Sequence, residues 1–135
     1  MAVSQISAEF DQNIKEVWKL VTSLENYGWR SDLDNVEIVD YRRFVEYAKG
    51  GYATYFTTTA FIPYERWEFD MKNSNMNGHW VGVFSEKNGH TCIEFTEQVT
   101  ARKFFLNPVL KIYLRKQQKK YVSDLKEALN KKCEG

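Results

Sequence analysis

Asn107-Pro-Val-Leu-Lys-Ile-Tyr-Leu-Arg-Lys-Gln-Gln-Lys-Lys-Tyr-Val-Ser-Asp-Leu-Lys-Glu-Ala-Leu-Asn-Lys-Lys132 carries the longest run of helical spacing in the chain. Asn107 is a suitable N-cap, because its side chain can accept from backbone N–H groups that lack an intrahelical partner. Pro108 fits the first helical position, where a missing donor costs nothing. At about 100° per residue, Leu110, Leu114, Tyr121, Leu125 and Ala128 fall on one stripe, with Val122 and Leu129 on its shoulder. Arg115, Lys116, Lys119, Lys120 and Lys126 point elsewhere. The spacing predicts a single amphipathic helix of about 25 residues, roughly 37 Å long, enough to cross a small domain. Such a helix needs an apolar surface to close on.

The preceding residues supply one. Val3 to Phe10 reads as a first strand, with Val3, Ile6, Ala8 and Phe10 as its apolar positions. Asp11 or Asn13 then caps a helix, and Asn13 with Glu16 forms a capping-box pattern. Ile14, Val17, Trp18 and Val21 recur at helical spacing. Ser23 starts a second short helical piece ending near Tyr27-Gly28. From Val36 the apolar period switches to two. Strands are expected over Val36–Tyr41, Phe44–Ala48, Tyr52–Phe61, Tyr64–Met71, His79–Glu86 and Thr91–Thr100. Gly50-Gly51 and Asn88-Gly89 mark hairpin turns between them. Strands grouped in this way, rather than alternating with helices, predict an α+β chain with an antiparallel sheet. The expected architecture is a curved sheet of about seven strands gripping the final helix, with two short helices closing one end.

Length and composition bound the function. At 135 residues the chain is expected to form one domain, 1–135, and 16% aromatic content suits a core or an apolar pocket. No apolar run approaches the ~18 residues of a membrane span. Met1 to Phe10 lacks a signal peptide's basic start and apolar centre. Cys92 and Cys133 make no disulfide framework, and a reducing cytoplasm is the expectation. From Arg102 onward ten Lys/Arg face three Asp/Glu, a net of +7; before it nine face fifteen, a net of −6. This asymmetry reads as a solvated basic helix face on an acidic shell, or as attraction for an anionic ligand or surface. Without a recognition motif or interleaved aromatics it does not predict nucleic acid.

Strand alternation separates Trp67, Phe69 and Met71 from Arg66, Glu68 and Asp70, and so places the aromatic set inside. Trp80, Gly82 and Phe84 share one face of the next strand; Ile93, Phe95, Glu97 and Val99 share one in the last. Large aromatics opposite Gly82 suggest irregular space. Gln117 and Gln118 sit between Leu114 and Tyr121, where packing alone favours Leu. A buried amide needs partners, so Gln117 either faces a cavity or lies at the helix edge.

This order of elements resembles the START-like superfamily with the helix-grip fold, including its Bet v 1-like and polyketide cyclase/dehydrase (SRPBCC) branches. The resemblance is carried by Phe10-Asp-Gln-Asn-Ile-Lys-Glu-Val-Trp18, Tyr27-Gly-Trp-Arg-Ser-Asp-Leu33, Gly89-His-Thr-Cys-Ile-Glu-Phe-Thr-Glu97 and Tyr121-Val-Ser-Asp-Leu-Lys-Glu-Ala-Leu129. It implies a cavity between sheet and helix for a lipid-like or polyketide-like molecule, and it leaves the chemistry open. Trp29 and Arg30 fall where this fold commonly has its cavity mouth. Arg30 there meets an anionic head group, or pairs with Asp32 or Asp34.

Other chemistries find little support. His90 and Cys92 have no further ligands spaced to join them in a metal site. There is no nucleophile elbow and no phosphate-cradling glycine loop, and no cofactor is expected. Glu97 is the one weak catalytic candidate, since an inward carboxyl would be partly desolvated; a salt bridge or a solvated strand end is its alternative. The expected function is binding of a small hydrophobic or amphipathic molecule. The lining would come from Trp29, Arg30, Tyr55, Trp67, Phe69, Trp80, Phe84, Phe95, Glu97, Leu114, Gln117 and Tyr121. An acid–base enzyme (cyclase, dehydratase or hydrolase) in the same cavity is one alternative. A protein-interaction module is the other, with Val109 and Ile112 forming an apolar patch or, with Phe104, Phe105 and Leu106, capping the cavity.

Overall fold

The strands of this chain pair in near-sequential order, because tight turns leave each one beside its predecessor. The computed structural model describes residues 1–134, with side chains through Lys131; the side chain of Cys133 lies outside the described residues. Strand β1 (Ala2–Phe10) leads into helix α1 (Ile14–Thr22). Six strands follow: β2 (Leu33–Ile38), β3 (Arg43–Ala48), β4 (Ala53–Ile62), β5 (Arg66–Lys72), β6 (Met76–Lys87) and β7 (His90–Ala101). Helix α2 (Asn107–Glu134) ends the chain. All seven strands form one antiparallel sheet in the order β1-β7-β6-β5-β4-β3-β2. Irregular register at Leu33/Asn35 and at Thr58/Ala60 marks bulges, which bend strands and help the sheet curve.

Local chemistry accounts for several boundaries. Asn88 and Gly89 both take positive φ, as a two-residue hairpin turn demands. The Asn13 side chain accepts from the Glu16 N–H at 2.9 Å and starts α1. Asp40 accepts from the N–H groups of Arg42 and Arg43, turning the chain between β2 and β3.

Three local expectations are corrected. No second helix follows α1. Ser23 does accept from the Asn26 N–H, but the segment then runs as turns, and Ser31 bonds Asp124 of α2 through both N–H and Oγ at 2.9 and 2.7 Å. Asn107 does not cap α2; its Oδ1 accepts from the Ala101 N–H at 3.1 Å, and a 3-10 turn over Phe104–Leu106 precedes the helix. Gly82 does not open space either. The Trp80 indole lies over it, and a Cβ at Gly82 would stand 2.7 Å from Trp80 Cζ3.

Helix α2 packs chiefly on β1 and β7. Its buried stripe is Leu114, Gln118, Val122, Leu125 and Leu129, which keeps Leu114 and Leu125 of the expected stripe and is turned toward its Val122 and Leu129 shoulder. Gln118 is the buried amide. Its Oε1 accepts from Ser4 Oγ at 2.7 Å and its Nε2 donates to the Ser4 carbonyl at 3.0 Å, so it is tied to β1. That rotation leaves Tyr113, Gln117 and Tyr121, one turn apart from each other, facing the concave side of the sheet beyond β1. At the other end of the core, Trp18 of α1 sits edge-on to Phe84 at 4.8 Å.

Candidate functional site

The space between the curved sheet and α2 is not filled. A cavity of about 450 Å³ remains, walled by Trp67, Phe69, Trp80 and Phe95 from β5, β6 and β7, by Phe56 from β4 and by Trp29 from the loop before β2. The ring network explains why these side chains do not collapse into the gap. Phe69 stacks on Trp80 at 4.7 Å, Trp80 meets Phe95 at 4.8 Å, and Trp67 meets Phe69 edge-on at 5.0 Å. Rings braced against one another in preferred geometries resist the rotamer changes that closing the gap requires.

A polar cluster stands among these rings. Arg30 donates from Nε and Nη2 to Asp32 at 3.2 and 2.9 Å, and from Nη1 to Glu46 at 2.8 Å. Its guanidinium lies 5.1 Å from the centre of the Tyr121 ring. Burial works against the charge on Arg30, but Glu46, then Tyr121 and Asp32, outweigh it and hold its pKa above the ordinary value. The Tyr121 phenol is pushed up, first by burial and then by the acidic neighbours, with Arg30 opposing. Glu97, the cross-strand neighbour of Trp80, forms no hydrogen bond or ion pair among the described residues. Burial, followed by repulsion from Glu46, pushes its carboxyl up to about 7, against a smaller pull from Arg30.

Of the twelve residues expected to line a ligand site, nine do line this cavity: Trp29, Arg30, Trp67, Phe69, Trp80, Phe95, Glu97, Gln117 and Tyr121. Three do not. Tyr55 is 60% exposed, because the inward parity of β4 belongs to Thr54, Phe56 and Thr58. Phe84 packs under Trp18, and Leu114 is part of the core stripe. Gln117 is exposed at the rim, where its Nε2 donates to Tyr113 Oη at 2.7 Å, so it is no evidence of a buried amide awaiting a ligand. Arg30 is not free for an anionic head group, since Asp32 and Glu46 already take its fork; Asp34 pairs with Lys49 at 3.4 Å instead. Phe104, Phe105, Leu106, Val109 and Ile112 are all exposed and none lines the cavity. Glu46 escaped the sequence reading, although the signal was present: Phe44, Glu46 and Ala48 alternate on one face, as Phe95 and Glu97 do. Phe56 was discoverable by the same parity.

No protein-family model and no curated protein matches the sequence. Solved structures do match in shape. A START superfamily protein from Mycobacterium smegmatis superposes with a TM-score of 0.83 at 11% identity, over 97% of this chain and 99% of that one. A conserved protein from Geobacillus kaustophilus does so with a TM-score of 0.82 at 11% identity, over 96% and 95%. The di-domain ARO/CYC protein BexL, from the BE-7585A biosynthetic pathway, matches with a TM-score of 0.79 at 12% identity, over 96% of this chain and 47% of that one. The fold of this chain is therefore the START-like helix-grip fold, α+β with a long C-terminal helix against a seven-stranded sheet. No described helix is long and apolar enough to cross a membrane.

Proposed function

We propose that this protein binds a small hydrophobic or amphipathic molecule between the sheet and α2, with residues 1–135 acting as one domain, and that it works in the cytoplasm. The observation that carries this reading is the unfilled cavity of about 450 Å³, bounded by braced aromatic rings and by a few polar side chains. Ligand sites of this kind are largely apolar, with a few convergent polar groups that fix orientation. Burying an apolar tail at about 0.8 kcal/mol per CH₂ gives roughly 8 kcal/mol for a ten-carbon chain. That competes with the lower estimates of association cost. Incubating the purified protein with a lipid extract and recording native mass spectra tests the proposal. A discrete bound species is the expected result; no retained species, together with no uptake of an apolar dye, overturns it.

Acid–base chemistry in the same cavity is a second reading, favoured by one observation: Glu97 is an unpaired carboxyl pushed up to about 7, close to the working range of a general acid or base. Its test is loss of turnover in Glu97→Gln with any ligand the cavity retains; an unchanged rate removes Glu97 from the role.

A further inference from the structure

The charges that face the cavity do not balance. Asp32, Glu46 and Glu97 stand on one side of the account, with Arg30 and Lys120 on the other. Lys120 is exposed at the rim, while Arg30 is committed to Asp32 and Glu46 in charge-assisted pairs of 2.9 and 2.8 Å. Arg30 thus neutralises its own two partners only in part, and among the described residues the cavity carboxyl with no partner is Glu97. An ionised group in a low-dielectric site is costly unless a counter-charge meets it. The walls around it are aromatic: Phe95 two residues earlier on β7, Trp80 beside it on β6, and Tyr121, whose ring centre lies 6.0 Å from that of Phe95 and 5.2 Å from that of Trp29. Ring faces attract cations through their quadrupoles and disfavour anions.

We infer that the cavity selects amphipathic cations, an ammonium or amine head joined to an apolar body, with Glu97 as the counter-charge among its aromatic walls. The inference rests on the cavity-binding reading above and narrows it. It opposes the expectation of an anionic head group at Arg30, because a carboxylate or phosphate placed there confronts three acidic side chains and a guanidinium already engaged. Entry of the cation also favours the ionised form of Glu97, so binding near neutral pH expels a proton to solvent. The sign follows: affinity for an amine rises as pH climbs through about 7 and then levels off.

The test compares decylamine, decan-1-ol and decanoate, which share a tail and differ in head charge, by calorimetry and by the fluorescence of the cavity tryptophans. At about pH 8 the amine is expected to bind at least about tenfold more tightly than the alcohol, and the carboxylate more weakly than either. Amine affinity should rise about tenfold from about pH 6 to about pH 8, while alcohol affinity does not rise. Glu97→Gln should abolish both the amine preference and its pH dependence. Equal binding of amine and alcohol, tightest binding of decanoate, or an amine preference that survives in Glu97→Gln overturns the inference while leaving the cavity reading intact. Failure of all three molecules to bind overturns the cavity reading itself. The head-group series on the unmodified protein decides the matter even where the variant does not fold.

Discussion

Glu97→Gln should change how stability depends on pH, and the direction can be worked out from the cavity. In the unfolded chain Glu97 titrates at its ordinary 4.5; in the native chain burial, followed by the Glu46 charge, moves it up to about 7. An acid with a raised native pKa holds its proton more tightly when folded. The native state is therefore favoured while Glu97 is neutral, and that advantage drains away as pH rises from about 4.5 to about 7. At about 1.4 kcal/mol per pH unit the full effect is about 3 kcal/mol. The carboxyl is reached through an open cavity, so about 2 kcal/mol is a better expectation once solvent screening is allowed for. Gln keeps the shape and carries no charge. Wild type and variant should match below about pH 4.5, and above about pH 7 the variant should be more stable by about 2 kcal/mol, or about 6 °C in Tm for a domain of this size. Urea and thermal melts at a series of pH values read this directly. Parallel curves for the two proteins at every pH would refute the placement of an unpaired carboxyl in an apolar wall.

Further outcomes follow from packing and charge elsewhere. Gly82→Ala puts a Cβ against the Trp80 ring and should lower stability by about 1–3 kcal/mol; an unmoved urea midpoint would mean the indole shifts freely. Gln118→Leu strands the Ser4 hydroxyl and carbonyl that it now serves, at about 1–3 kcal/mol, and adding Ser4→Ala should recover part of the loss in a double-mutant cycle. Arg30→Met removes the cation between Asp32 and Glu46. It should destabilise by up to about 3 kcal/mol, and a neutral effect would show the cluster to be solvent-screened.

Much of the fold was legible because its signals are local. Asn88-Gly89 must turn, since both residues adopt positive φ there; Asn13 must cap, since Glu16 N–H needs an acceptor; and Trp67, Phe69 and Met71 must face inward together. Parity also identified most of the cavity wall; it was one step out at Tyr55 beside Phe56, and at Phe84 it gave the right face but not the position along the strand, which lies under Trp18. The missing second helix has a different origin. Ser23 begins a turn as its chemistry suggests, but Ser31 is held by Asp124, ninety-three positions away, and the intervening segment follows that constraint.

The grip is a consequence of local pattern alone. Period-two strands joined by tight turns can bury their apolar face only by curving round the one long amphipathic helix at hand. The rotation of that helix and the meeting of charges are set by three-dimensional packing. The Ser4–Gln118 pair sets Leu114, Val122, Leu125 and Leu129 into the core and leaves Tyr113, Gln117 and Tyr121 to the cavity. Arg30, Glu46 and Glu97 come from three separate segments, and their roles depend on distances between them. Hydrophobic periodicity reports one face of one element, whereas a charge acts on whatever the fold brings within a few ångströms of it. For that reason Arg30 and Glu97 could be named from the sequence, but not that Arg30 is already paired and Glu97 is not.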